Sequence, residues 1–133
     1  MPSTLIGTVQ NAKRTQGLVT SPAINSINDL IKIKGPGLFI SAEISKQGGT
    51  SGLTFVEVLI DGSDIVSISY IACTNSGLTT ANNYGLQISK SAALETITVG
   101  YQVPLTFSKE LLVRTLVKEP GVVQILANTI CAS

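Results

Sequence analysis

The sequence contains no histidine and no tryptophan. Without histidine it lacks the side chain best suited to proton transfer near neutral pH and the usual activator of a serine or cysteine nucleophile. Histidine-based triads are excluded. Aromatic residues are scarce as well, with three Phe and three Tyr in 133 residues. A platform for stacking sugars or bases would have to be assembled from Tyr70, Tyr84 and Tyr101, and scattered core and rim positions account for them more simply. Charge is the third shortage, at 13% of residues, about half the usual share for a globular domain. Nine basic and eight acidic residues give a formal net charge of +1. Lys13-Arg14 and Lys32 with Lys34 are the closest approaches to a basic cluster, and such pairs read as solvated surface, so no nucleic-acid partner is expected.

No apolar run is long enough to span a bilayer, and Met1-Pro2-Ser3-Thr4 lacks the basic segment and apolar run of a signal peptide. Synthesis in a cytoplasm and no membrane partner are the expectations. Cys73 and Cys131 form no close-spaced metal pattern. They read as one bridge or two buried thiols, and a reducing compartment favours the thiols.

Hydrophobic residues make up 44% of the chain, and Ser plus Thr add roughly a fifth. This length suits one domain with an adequate core. A nearly neutral, weakly charged chain keeps part of its surface for other chains, so a homo-oligomer or larger assembly is expected. From residue 27 onward the pattern is almost entirely β, with no convincing amphipathic helix. Ile31 and Ile33 alternate with Lys32 and Lys34 before Gly35-Pro36-Gly37. Leu38, Ile40, Ala42 and Ile44 then form an inward set facing away from Phe39, Ser41, Glu43 and Ser45. Gly48-Gly49-Thr50-Ser51-Gly52 is a turn or loop. Leu53 to Ile60 is apolar on both faces and reads as a central strand, with Thr54, Val56, Val58 and Ile60 on one side. Asp61-Gly62 is the tight-hairpin pair, followed by alternation through Ile71. Thr74 to Asn83 reads as an exposed loop, and Tyr84 to Ser89 as a short strand. Leu94 to Tyr101 is a strand that Pro104 stops or marks as an edge. Leu111 to Val117 and Val122 to Ile130 flank the turn Lys118-Glu119-Pro120-Gly121.

Seven or eight short strands of this kind predict an all-β fold. The expected architecture is an antiparallel two-sheet β-sandwich, jelly-roll-like or Greek-key. Residues 27–133 form that domain, and residues 1–26 are set apart as an N-terminal arm or edge segment. Leu5, Ile6 and Val9 sit there among polar residues, followed by Lys13 and Arg14. These five are the candidate interface residues of an extended arm that pairs with a neighbouring subunit. An extra edge strand of the same domain and a disordered tail are the other readings.

No constellation carries chemistry. The serines lack a Gly-x-Ser-x-Gly setting, and in Ser89-Lys90-Ser91 or Ser108-Lys109 adjacent side chains point to opposite faces of a strand. Asp61 and Asp64 read as turn and strand start rather than calcium ligands, since the longer ligand set of an EF-hand is missing. The glycine-rich segments precede no helix and lack a Gly-Lys-Ser/Thr ending. No catalytic residue, cofactor site or metal site is assigned, and the chain is expected not to be an enzyme.

From Leu30 to about Val117 the order of features resembles small β-sandwich virion proteins of tailed bacteriophages, of the head-decoration (cement) or tail and baseplate type. The residues carrying it are Gly35-Pro36-Gly37-Leu38-Phe39-Ile40, Val58-Leu59-Ile60-Asp61-Gly62, and Val103-Pro104-Leu105-Thr106-Phe107-Ser108-Lys109-Glu110-Leu111-Leu112-Val113. The resemblance implies a non-enzymatic structural part of a virion, made in the host bacterial cytoplasm. In its decoration form it implies a clamp on the capsid surface, a homotrimer by preference, bound at junctions of the major capsid protein. Many weak contacts repeated by symmetry would then supply avidity. A tail, neck or baseplate protein is the nearest alternative. A carbohydrate- or receptor-binding module is the alternative from another class.

Overall fold

A computed structural model of the chain describes residues 12–80, 82, 85–91 and 94–132. It is a sandwich of two antiparallel sheets. In chain order the strands are β1 (Lys13–Thr20), β2 (Ser26–Lys34), β3 (Gly37–Gly48), β4 (Thr54–Ile60) and β5 (Ser63–Ser69), then a short helix α1 (Tyr70–Asn75). After it come β6 (Leu86–Ser91), β7 (Leu94–Phe107), β8 (Glu110–Val117) and β9 (Val122–Ala132). One sheet has the order β1-β9-β3-β7-β6 and the other β2-β8-β4-β5. The chain therefore changes sheet at each of its first three connections, again between β5 and β6, and on either side of β8.

Alternation of apolar side chains explains why these segments pair as they do. Along β8, Leu111, Val113, Thr115 and Val117 are buried, and along β4, Thr54, Val56 and Val58 are buried. Opposite them the other sheet contributes Ile44, Ile97, Val99, Ile125 and Ala127. Burying each of the larger aliphatic side chains stabilises the fold by about 1.5–3 kcal/mol before the entropy of ordering is set against it.

Two expectations are corrected by local geometry. The inward set of β3 begins with Phe39, which is fully buried, while Leu38 and Ile40 are half-buried. Ile40 is the extra residue of a bulge between Phe39 and Ser41. One inserted residue reverses the facing of everything on one side of it, so Ala42 and Ile44 keep their predicted side. The alternation expected through Ile71 ends at Ser69, whose hydroxyl caps α1 by accepting from the Ala72 amide at 3.2 Å. Tyr70 to Asn75 is therefore helical, taking in the start of the predicted 74–83 loop. Cys73 and Cys131 are both free and buried, and burial pushes the Cys73 thiol up to about 11.

β7 continues beyond the predicted stop, and Pro104 lies where the strand swings out of register. Between Gly100 and Leu105 it makes no paired contact with β3. β6 pairs no further along β7 than Val99, so Pro104, with no N–H to give, removes no ladder bond. Of the segment 1–26, residues 13–20 are the edge strand β1, paired with β9 from Lys13↔Cys131 to Thr20↔Gln124.

β1 and β2 lie at the same side of the two sheets and approach closely. A Cβ on Gly17 would overlap the Leu30 carbonyl group. Leu30 is the extra residue of the β2 bulge, so its carbonyl cannot withdraw without disturbing the register. Gly17→Ala is expected to destabilise the fold by about 1–3 kcal/mol, read as a lower denaturation midpoint at unchanged m-value.

Candidate functional site

At one end of the sandwich the apolar columns terminate in charged side chains. Lys46 continues the inward column of Ala42 and Ile44, Glu119 that of Val113, Thr115 and Val117, and Glu95 that of Ile97 and Val99. Lys46 and Glu95 are register partners on β3 and β7. Lys46 Nζ lies 2.9 Å from Glu95 Oε1 and 3.1 Å from Glu119 Oε2, with side-chain exposure of 1% for Lys46 and 0% for Glu119.

Each group here is matched to its donor or acceptor capacity. The ammonium makes its third contact with the Gly48 carbonyl oxygen at 3.2 Å. Glu119 Oε1 accepts from the Ser51 and Gly52 amides at 3.1 and 3.0 Å, and Oε2 accepts from Thr54 Oγ1 at 2.6 Å as well as from Lys46. Burial pushes the Glu119 carboxyl up, but the bonds from Thr54, Ser51, Gly52 and Lys46 outweigh it and hold the group below the usual carboxylate range. The Tyr70 ring lies 5.2 Å from the ammonium, and its hydroxyl donates to the Ile44 carbonyl at 2.8 Å. Lys90 completes the charge balance 3.7 Å from Glu95 Oε2.

The loop Gly48–Gly52 closes over this cluster. Gly49 has φ +94°, and a Cβ there would run into Glu119 Oε1 and Lys46 Nζ. Glycine is required both for the left-handed backbone and for the space. Outside the loop is a cleft of about 300 Å³ bordered by the loop, Ile71, Lys90 and Glu95. The cluster ties strands of one sheet to Thr54 of the other and to Glu119 in the turn that follows β8, which makes it a clasp between the sheets. Sequence reading missed it because Lys46, Glu95 and Glu119 look like ordinary surface or turn residues. The available signal was that each continues the phase of a buried column.

Asp61 and Asp64 are not brought together as a cation site. Asp61 has φ +51° and Gly62 φ +85°, as the tight β4–β5 hairpin requires. The Asp61 carboxylate holds the neighbouring β7–β8 turn, accepting from the amides of Ser108, Lys109 and Glu110 and from Ser108 Oγ. Those bonds, led by the Ser108 amide, keep the carboxyl well below the usual range. The unfolded chain therefore takes up a proton before the folded one does, and stability falls as pH drops through the carboxylate range. The thermal midpoint is expected to fall between neutral pH and about pH 3, and Asp61→Asn should lower the neutral midpoint while flattening this acid dependence. Among the described residues no group of three or more His, Cys, Asp or Glu is placed to hold a metal ion.

Of the predicted interface residues, Leu5, Ile6 and Val9 lie outside the described residues. Lys13 and Arg14 begin β1, both exposed, on alternate faces of the strand. Arg14 belongs to the outer face of the five-stranded sheet. Register sets that face out in rows. Arg14, Ile130, Ser41 and Gly100 form the first, and Gln16, Asn128, Glu43, Thr98 and Gln87 the second. Leu18, Leu126, Ser45, Thr96 and Ser89 form the third, and Thr20, Gln124, Gln47, Leu94 and Ser91 the fourth. Arg14 and Glu43 are the only charged side chains in these rows.

The outer face of the four-stranded sheet has the opposite character. Ile27, Leu116 and Phe55 form an apolar row at one end, then Asp29, Arg114, Glu57 and Ser67 stand side by side, then Lys32, Leu112, Leu59 and Asp64, then Lys34 and Glu110. Arg114 donates to Glu57 at 2.8 Å, and Lys32 lies 3.6 Å from Glu110. Such exposed pairs add little stability, but they keep the face hydrated.

No protein-family model matches the chain, and no curated protein matches it by sequence. Among solved structures it is similar to a chain in the acid-stable capsid of Helicobacter pylori bacteriophage KHP30, with a TM-score of 0.56 and 9% identity, covering 94% of this chain and 90% of that one. A looser likeness, with TM-score 0.36 and 6% identity, is to the catalytic unit of a GH87 α-1,3-glucanase from Streptomyces thermodiastaticus, covering 87% of this chain and 24% of that one. Another, with TM-score 0.34 and 12% identity, is to latent PorU from Porphyromonas gingivalis, covering 92% and 13%. The two looser likenesses carry no argument. The first extends over nearly the whole of two chains of similar length, and what it establishes is a shared fold.

Proposed function

We propose that the chain is a non-enzymatic structural protein of a bacteriophage particle, and that it acts as a capsid decoration or cement protein. The observation that carries this reading is the likeness of fold, end to end, to a chain of a phage capsid. Strand order supports it. With β6 set aside as an addition at the sheet edge, β1-β9-β3-β7 faces β2-β8-β4-β5, the eight-strand arrangement of the jelly rolls common in viral shells. The charge pattern fits the same role. One broad face is nearly without charge, as a surface that is covered should be, and the other carries most of its charged side chains beyond the row Ile27, Leu116 and Phe55, as a surface largely left in water should. Its partners would be other copies of itself and the major capsid protein. No catalytic step is assigned, because histidine is absent and Lys46, Glu95 and Glu119 are engaged in ion pairs with one another and in hydrogen bonds to Thr54 and the loop over them.

Mass spectrometry and electron cryo-microscopy of the virion test this. The expected result is hundreds of copies, by order of magnitude from repeated shell sites, located over junctions between shell subunits. A few copies confined to the tail would replace it with a tail or baseplate role. Saturable glycan binding by the purified chain would replace it with a receptor-binding role.

A further inference from the structure

We propose that the outer face of the five-stranded sheet is a docking surface for a second copy of this chain, the two meeting face to face about a twofold axis. Every charged residue of the sequence is among the described ones, so their absence from these rows is a property of the face itself. Arg14 and Glu43, the exceptions, are opposite in sign, so two copies meet without net like charge.

The face is also complementary to itself. Its Ser, Thr, Gln and Asn side chains each both donate and accept, so a twofold contact needs no second surface of matching chemistry. Its size is adequate. The four rows present nineteen outward positions, close to the roughly 20–30 residues a side of a standard stable interface. Relief is present as well. Leu18, Leu94 and Ile130 stand out from the face at 55%, 45% and 42% exposure. A recess of about 280 Å³ lies beside Ile130, between Arg14, Ser41, Glu43, Thr98 and Asn128. Leucine tips from one copy and a recess on the other are the elements an interlocking contact needs. The inference stands on charge distribution and shape, whether or not the chain serves in a virion.

The test is sedimentation equilibrium of the full chain over a range of concentrations. The expected species has twice the 13.9 kDa chain mass and depends little on salt, since few charges are screened in the contact. Thr98→Lys with Ser89→Lys sets like charges across the interface and should weaken association at least about tenfold. Ser67→Lys, on the charged face, should leave it unchanged. Circular dichroism checks folding, and Gln16→Lys with Thr20→Lys on the edge strand β1 is the second face variant should the first not fold. A wild-type chain that stays monomeric overturns the proposal. So does an oligomer of any size whose stability the face variants leave intact.

Discussion

Lys46→Met is expected to lower the free energy of unfolding by about 3–5 kcal/mol, a large part of the roughly 5–15 kcal/mol that holds a domain of this kind together. The loss comes less from attraction forgone than from what is left behind. Without the ammonium, Glu119 retains a negative charge in a site with no water contact, and Glu95 faces it across the gap. Glu119→Gln alone should cost less, because Lys46 keeps Glu95 and the Gly48 carbonyl. The double variant should be less destabilised than the sum of the two, since removing both charges leaves neither stranded. Urea denaturation of the four proteins gives this cycle directly. A loss below about 1 kcal/mol for Lys46→Met, the value of an exposed ion pair, would mean that solvent reaches the cluster.

Tyr70→Ala is expected to be comparably severe, about 3–5 kcal/mol for removal of a fully buried aromatic. Tyr70 is the largest fully buried side chain among the described residues, and it joins the core to the ionic clasp. Tyr70→Phe separates its two roles. It keeps the ring beside Lys46 and removes only the bond to the Ile44 carbonyl, which leaves a buried acceptor unpaired at a cost of about 1–3 kcal/mol. Thermal unfolding should rank wild type above Tyr70→Phe and Tyr70→Phe above Tyr70→Ala. Equal midpoints for the two variants would show that the ring contributes nothing beyond its hydroxyl.

Much of the sandwich is legible in the sequence because its strands alternate cleanly. Val56 and Val58, Leu111 to Val117, and Ile97 and Val99 announce their buried side by period alone, and Asp61-Gly62 announces its hairpin by the backbone angles it tolerates. Strand order is not legible, since alternation says which face is buried and nothing about the neighbour. The bulge at Ile40 escapes for a related reason. An inserted residue has no composition of its own, and Phe39 and Ile40 are equally good core residues. Tyr70 and Ile71 are misread as strand because Ile68 and Tyr70, like Ser69 and Ile71, continue the two-residue period, while the signal that ends the strand is a capping hydroxyl at Ser69.

The candidate site divides in the same way. Lys46 and Glu119 are hidden by a sound general rule, that charged side chains are rarely buried, and only their partners in space justify the exception. The uncharged face is invisible in composition because the sequence has few charges everywhere. It takes the register to show that most of those few lie on the opposite sheet and in the clasp. Of the five predicted interface residues Arg14 belongs to the contact proposed here, and Leu5, Ile6 and Val9 lie outside the described residues.

The position of β9 between β1 and β3 has a consequence for how the molecule is made. β9 is the last of the described strands in chain order, yet it is an inner strand of the five-stranded sheet. While a ribosome is still translating, β1 and β3 wait without their shared neighbour, each with an open row of amides and carbonyls. Open edges of this kind are where pairing with a wrong strand can start, and the arrival of β9 closes both at once.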